Sequence, residues 1–241
     1  MKKLPINLII GTVLVSIVLG TAVLSLIWTP HNHALMNISQ KFHDPSYIYL
    51  LGTDQLGRDV LSQLMAASRN SMIVALVAVL LGGSIGTMLG LLASALGGWI
   101  EDLVMRIADI GFAFPALLFA IMLAAVFGPS LTNAVFAIAF INIPIFARIS
   151  RASANQIWTR DFVLASRAAG VGRFIITFNH ILPNILAPII VQATIEFAVA
   201  ILAEAALSYL GLGAQPPAPS WGRMLSEAQT LMYLAPQLAI Y

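Results

Sequence analysis

The chain has 241 residues, of which 59% are hydrophobic and 9% are charged, and its formal net charge is +2. Soluble domains carry about 25% charged residues, so this composition excludes a soluble globule and indicates a protein of the lipid bilayer. The small net charge gives no support for nucleic-acid binding. A chain without cysteine can form neither disulfides nor thiolate metal sites.

The first apolar stretch, residues 4–28, is uncharged and follows Lys2 and Lys3. A cleaved signal peptide has a shorter apolar region and a small-residue cleavage site, so we predict that residues 1–28 form an uncleaved N-terminal anchor. Lys41 is the only other lysine in the sequence. Because none of the three follows a glycine-rich turn, we expect this chain neither to hydrolyse ATP nor to bind a cofactor.

Four further stretches are apolar enough to cross the bilayer, for which a helix needs about 20 residues. They are residues 72–98, 110–127, 131–147 and 183–210. A sixth stretch begins near residue 231 and stops at Tyr241, which suggests either a fragment or a truncated product. The sequence therefore predicts five complete spans and a truncated sixth, with residues 72–241 as the core bundle.

Positive charge predicts the orientation, because inner loops carry an excess of lysine and arginine. Residues 148–182 contain five arginines and one acid, whereas three acids balance the three basic residues of 29–71. We therefore predict the N-terminus and residues 148–182 inside. Residues 29–71 are predicted outside, as a loop with an amphipathic segment.

Small residues recur at every fourth position along the second predicted span, at Gly82, Gly86, Gly90, Ser94 and Gly98. Such a stripe lets another helix approach closely in lipid. It predicts either ordinary packing or a tight crossing beside a transport pathway.

Three prolines, Pro115, Pro144 and Pro188, fall inside predicted spans. Proline removes a backbone hydrogen bond and kinks a helix, and membrane helices tolerate this. The prolines are weak support for a bundle that moves.

Glu196 and Glu204 interrupt the fifth span. Acids within membrane segments usually face the bundle interior and often mark a pathway, so both are candidate translocation-path residues. Glu196 lies mid-span, whereas Glu204 lies near the outer end and is placed to reach the interface. An intramembrane enzyme that uses either acid is the alternative. The sequence shows no second catalytic group at a spacing that would place it beside these acids.

The outer loop contains His31, His33 and His43. Imidazoles are candidate ligands for a metal of borderline softness, but no closed ligand set is visible. We expect solvated side chains and no metal site.

A short inner helix is predicted between Asp161 and Gly170. Asp161 is placed to accept hydrogen bonds from the first free amides, and glycine favours the left-handed conformation that ends a helix. Apolar side chains available for a partner's groove are those of Phe162, Val163, Ala165 and Ala169. The alternative is a surface helix that lies on the lipid headgroups.

Three motifs resemble the permeases of ABC importers. Leu164-Ala-Ser-Arg-Ala-Ala-Gly170, followed by Ile181-Leu-Pro183, resembles the EAA loop, from which Leu164 and Ser166 depart. Leu51-Gly-Thr-Asp-Gln-Leu-Gly-Arg-Asp59 and Glu204-Ala-Ala-Leu-Ser-Tyr-Leu-Gly-Leu-Gly213 are similar to segments of dipeptide, oligopeptide and nickel permeases. The resemblance covers nearly the whole chain.

This resemblance implies an all-α membrane protein with the type I ABC-importer transmembrane fold, in the bacterial inner membrane. It also implies a second permease as heterodimer partner, two cytoplasmic ATPase subunits that carry ATP and Mg, and a periplasmic solute-binding protein. The inner helix would dock on an ATPase. The residues assigned to this coupling are Asp161, Phe162, Val163, Ala165, Ser166, Arg167, Ala169 and Gly170.

The implied function is that of a permease subunit which forms, with the second permease, a path for peptides. A nickel importer of the same family is the nearest alternative. A solitary secondary transporter or an intramembrane enzyme are the alternatives from other classes, and dependence on a separate ATPase distinguishes the importer from both.

Overall fold

The computed structural model describes residues 6–241, so Lys2, Lys3 and the first residues of the predicted anchor lie outside the described residues. The described chain is helical and contains no β-strand, as predicted. Its α-helices are α1 (Ile6–Leu24), α2 (Val60–Leu96), α3 (Gly98–Ala113), α4 (Ala116–Phe127), α5 (Leu131–Trp158), α6 (Asp161–Ala168), α7 (Arg173–Ile176), α8 (Leu182–Tyr209) and α9 (Trp221–Thr230).

Four helical segments are long and apolar enough to cross a membrane: α1, α2, α5 and the run from Arg173 to Tyr209. The span predicted over residues 110–127 is instead a pair of helices, α3 and α4, which begins earlier and bends by 82° beside Pro115, where a kink was expected. Phe114 is extended, with φ −88° and ψ 117°, because proline disfavours the helical conformation in the residue before it. Counting this bent pair as one span gives five candidates.

The second predicted span begins earlier than expected, since α2 starts at Val60, inside the predicted outer loop. The reason is a side-chain cap that hydropathy does not detect. Asp59 Oδ2 accepts hydrogen bonds from the backbone N–H of Ser62 (3.0 Å) and from its hydroxyl (2.5 Å), which satisfies an amide of the first turn.

The chain divides into two compact units, of which one comprises residues 74–128 and 132–203. In that unit the glycine stripe packs α2 against α5, as predicted. A Cβ on Gly82 would lie 2.5 Å from the carbonyl oxygen of Ala139, and Cβ atoms on Gly86 and Gly90 would meet the carbonyl oxygens of Ile143 and Ala147. Each successive glycine of α2 meets a carbonyl oxygen four residues further along α5, so the two helices run parallel.

The stripe ends before its last predicted member. Ser94 Oγ donates to Asn155 Oδ1 (2.5 Å), whereas nothing lies within 4 Å of a Cβ placed on Gly98. Gly97 and Gly98 both have positive φ, 65° and 58°, and they turn the chain from α2 into α3.

The predicted start of the last long span, residue 183, was wrong because the helix already begins at Arg173. A π-helical turn, Thr177–Ile181, joins α7 to α8 immediately before Pro183. Proline lacks the N–H that would continue the α-helical ladder, and a π-turn accommodates such an interruption. Pro144 and Pro188 instead lie within continuous helices, α5 and α8.

The other unit comprises residues 6–73, 129–131 and 204–241, and a buried ionic cluster lies within it. Arg58, 6% exposed, donates from Nε to Asp54 Oδ2 (2.6 Å) and from Nη2 to Glu227 Oε2 (3.1 Å). Arg223 Nε donates to Glu227 Oε1 (2.8 Å), and Gln63 Nε2 donates to Asp54 Oδ2 (2.9 Å). The cluster links the segment immediately before α2, the first turn of α2 and helix α9.

Two elements at the C-terminal end of the chain differ from expectation. Helix α9 was not predicted from the sequence. It begins at a side-chain cap, in which Ser220 Oγ accepts a hydrogen bond from the N–H of Arg223 (3.3 Å). The apolar stretch that begins near residue 231 forms a turn and a short 3-10 helix, Pro236–Ala239.

Candidate functional site

The predicted inner helix forms as α6, and its last turn is closed by a glycine as expected. Gly170 has φ 81°. Its N–H donates to Arg167 O (3.0 Å), and the N–H of Val171 donates to Ser166 O (3.1 Å). This pair of bonds is the Schellman motif, in which a left-handed residue satisfies the free carbonyls of the helix end.

The opposite end of α6 differs from the prediction. Asp161 is the first helical residue rather than the cap, and Arg160 occupies the cap position without a side-chain hydrogen bond. The carboxylate of Asp161 is exposed in the first turn, where a negative charge is favourable near the positive end of the helix dipole.

The prediction that Val163 is available to a partner was wrong, because its side chain is 0% exposed. It packs in an apolar cluster, and the other buried members are Leu91, Ala154, Ile176, Ile181 and Ile185. An eight-residue helix needs such an anchor, since short isolated helices are marginal in water. Val163 therefore holds α6 on the bundle, and it contributes to docking only indirectly.

The remaining predicted coupling residues lie on the accessible side of α6. Phe162 is 45% exposed, and Ala165, Arg167 and Ala169 are also exposed. Ser166 is half-buried and its hydroxyl donates to Phe162 O (2.9 Å). Leu164, which the sequence reading set aside as a departure from the motif, is 47% exposed and extends this face.

Glu196 is 7% exposed within α8. Its Oε1 accepts a hydrogen bond from Gln192 Nε2 (2.7 Å), one turn earlier on the same helix. A buried carboxylate with a neutral partner is a costly arrangement, consistent with a functional reason for its presence.

Glu204 does not reach the interface as expected, because it is 0% exposed. Its Oε1 accepts from Ser208 Oγ (2.6 Å), and that hydroxyl accepts from the N–H of Ala214 (3.0 Å). Gly222 packs on the backbone of Ala205. The segment after α8 therefore folds back onto the last turns of that helix, and the path role of Glu204 stays a prediction.

The three histidines of the predicted outer loop do not converge. His31 Nδ1 lies 3.5 Å from Asp59 Oδ2, whereas His43 Nδ1 lies 2.7 Å from the carbonyl oxygen of Asp44. Burial, together with the positive charges of Arg69 and Arg58, lowers the pKa of His33 below its ordinary value. Within residues 6–241, no group of three potential ligands surrounds a metal position.

Comparison with known proteins gives one family. Residues 82–240 match the profile of the family described as binding-protein-dependent transport system inner membrane component. The chain is 42% identical to the dipeptide transport system permease protein DppC of Alkalihalophilus pseudofirmus, over 97% of this chain and 77% of that protein.

Two further relatives have comparable identities. The di/tripeptide transport system permease protein DppC of Pseudomonas aeruginosa is 45% identical, over 79% of this chain and 67% of that protein. The glutathione transport system permease protein GsiD of Pectobacterium atrosepticum is 42% identical, over 82% of this chain and 65% of that protein.

Among solved structures, a chain of the MetNI methionine ABC transporter in an inward facing conformation superposes with a TM-score of 0.62. The superposition covers 73% of this chain and 84% of that chain at 20% identity. This likeness establishes the all-helical fold of an ABC importer's membrane chain, and it carries no information on substrate.

Proposed function

Because the chain belongs to the family of binding-protein-dependent transport system inner membrane components, we propose that it is the permease subunit of an ATP-driven peptide importer. It is a multi-pass protein of the inner membrane. The observation that carries the proposal is α6, an exposed helix anchored by Val163 and ended by Gly170. Such a helix presents a rigid docking surface without any catalytic group of its own.

The substrate assignment rests on the relatives, two of which are named for dipeptide or di/tripeptide transport and one for glutathione transport. In this proposal the chain pairs with a second permease, and a periplasmic solute-binding protein delivers the peptide. Two cytoplasmic ATPase subunits bind ATP and Mg, and one of them receives α6. Glu196 stays the candidate path residue, and its buried carboxylate supports this role.

We expect that Gly170→Val uncouples peptide uptake from ATP hydrolysis while the protein still inserts. The left-handed conformation at φ 81° costs a residue with a Cβ about 1–2 kcal/mol, so the turn into α7 is misdirected. Ala165→Asp places a charge on the exposed contact face and acts similarly. The measurements are uptake of a labelled dipeptide and co-purification of the ATPase with the transporter.

Two matched variants serve as controls. Gly172 has φ −64° and ψ 148° and nothing within 4 Å of an added Cβ, so Gly172→Val should leave uptake intact. Thr159→Asp adds the same charge at an exposed position just before α6. Normal ATPase binding and uptake in both Gly170→Val and Ala165→Asp would leave α6 as a surface helix only.

The proposed topology has five crossings, with residues 148–182 inside. Its support is the parallel packing of α2 on α5. Two consecutive spans that run in the same direction need a connection that returns across the bilayer. In this proposal α3 and α4 together make that return as one broken span, despite their 82° bend.

Single cysteines test this topology cleanly, since the chain has none of its own. Tyr47 is fully exposed in the outer loop and Thr159 is exposed before α6. An impermeant thiol reagent applied to intact spheroplasts should label Tyr47→Cys and spare Thr159→Cys until the membrane is opened. The reverse pattern would invert the orientation.

A further inference from the structure

A polar cavity of about 380 Å³ lies at the ends of α2 and α5, beside the last turn of α6 and the start of α7. The side chains that define its chemistry are Trp158, Arg167 and Arg173, and the chain turns beside them at Gly97 and Gly98. Arg167 is also one of the residues assigned to coupling, whereas Trp158 and Arg173 are not.

Two guanidinium groups line the cavity, and neither forms an ion pair within the described chain. Arg173 Nη1 donates to Ala95 O (3.2 Å) and Leu96 O (3.3 Å), which leaves other N–H groups of its five-donor guanidinium uncommitted. Across residues 6–241, Arg167 has neither an ion pair nor a side-chain hydrogen bond.

No carboxylate lines this cavity. The acid on the first turn of α3, Glu101, is occupied by Arg151 Nε (2.5 Å) and Asn155 Nδ2 (3.3 Å). Two guanidinium groups facing one cavity repel each other unless a counter-charge is present. The uncommitted N–H groups of the two arginines match the oxygens of a phosphate group.

The surroundings favour a lipid phosphate over a phosphate from solution. The ring of Trp158 packs against the apolar cluster around Val163, as tryptophan does at the membrane interface. Basic pockets between spans on the cytoplasmic side bind anionic headgroups. We infer that this cavity binds the phosphate of an anionic phospholipid of the inner leaflet, and that the bound lipid ties α6 to the end of α2.

The inference takes the inward orientation of residues 148–182 from the proposed function, and its test is independent of the ATPase. Fluorescent phosphatidylglycerol is titrated against the full chain in mild detergent, with phosphatidylcholine as the zwitterionic comparison, whose phosphate is balanced by its own choline cation. Phosphatidylglycerol should bind about thirtyfold more tightly, since each of the two arginines contributes about 1 kcal/mol. Arg167→Gln, at an exposed position without intrachain partners, should weaken binding about fivefold.

Trp158→Phe is the second variant, because the indole Nε1 is buried and phenylalanine keeps an apolar ring on the cluster. Lipid affinity should stay nearly unchanged in this variant, and a large loss would contradict a site made by the two arginines. Arg160→Gln is the matched control, since Arg160 is an exposed arginine of the same segment that does not line the cavity. If Arg160→Gln weakens binding as much as Arg167→Gln, diffuse surface charge explains the affinity and the site is refuted.

Three further outcomes would overturn the assignment. Equal affinity for the two lipids would show that the cavity does not select an anionic headgroup. Displacement of the lipid by inorganic phosphate at equal concentration identifies a soluble phosphate instead. Loss of ATPase co-purification in Arg167→Gln at unchanged lipid affinity assigns this arginine to the ATPase. Failure of the unaltered protein to co-purify with an ATPase refutes the proposed function and leaves the lipid measurement valid.

Discussion

Gly86→Val is expected to destabilise the bundle by about 3 kcal/mol, the upper end of the usual cost of overpacking a core. A Cβ at this position would meet the carbonyl oxygen of Ile143, with Phe146 Cβ at 2.8 Å and the backbone nitrogen of Ala147 at 3.1 Å. Backbone atoms have no rotamer by which to move aside, so α2 and α5 must separate. The consequence is lost stability rather than altered transport alone.

The measurement is unfolding of the purified protein in mixed micelles as the fraction of denaturing detergent rises. Gly20→Val is the control, because nothing lies within 4 Å of a Cβ on Gly20 and its helix is largely exposed. Gly83→Val tests the geometry further, since the contact there is the Phe146 ring at 3.3 Å. Equal midpoints for Gly86→Val and Gly20→Val would contradict the close packing of α2 on α5.

Arg58→Met should cost about 3–5 kcal/mol, the loss typical of removing one partner from a buried ion pair. Methionine fills much of the volume of the arginine side chain. Asp54, which is 7% exposed, then keeps its negative charge but has lost the cation that balanced it. Glu227 retains Arg223, so the loss falls mainly on Asp54. The same unfolding measurement reports it, and a cycle with Asp54→Asn isolates the pair.

The control for this prediction is another arginine–aspartate pair of the same chain. The side chains of Arg148 and Asp109 are 48% and 61% exposed, and exposed pairs contribute about 0–1 kcal/mol. Arg148→Met should therefore leave the unfolding midpoint nearly unchanged. Comparable losses of stability in Arg58→Met and Arg148→Met would mean that burial does not set the strength of the buried ionic cluster.

The features that the sequence predicted correctly are those whose physical cause is local. The glycine stripe needs only a four-residue spacing on one helix, and Gly170 needs only a short helix that must end. Both follow from neighbouring residues, and both are present in the structure.

The errors concern burial by segments distant in sequence. Val163 is covered by Leu91 and by residues 176–185, and an apolar side chain on a short helix gives no sign of which face will be covered. Glu204 is covered by the segment that continues to Gly222. A kink at Pro115 was expected, but not its size of 82°, because the presence of a proline does not fix the angle between the two segments.

The burial of Val163 between exposed neighbours has a consequence for how this helix can change over evolutionary time. Phe162 and Leu164 are about half exposed, so in the proposed docking they are free to vary together with the surface of the ATPase that a given transporter uses. Val163 is enclosed by the bundle of its own chain, so its volume is constrained by the permease alone. Among related transporters, the volume of residue 163 should therefore change little. Residues 162 and 164 should instead change together with the ATPase surface that they are proposed to contact.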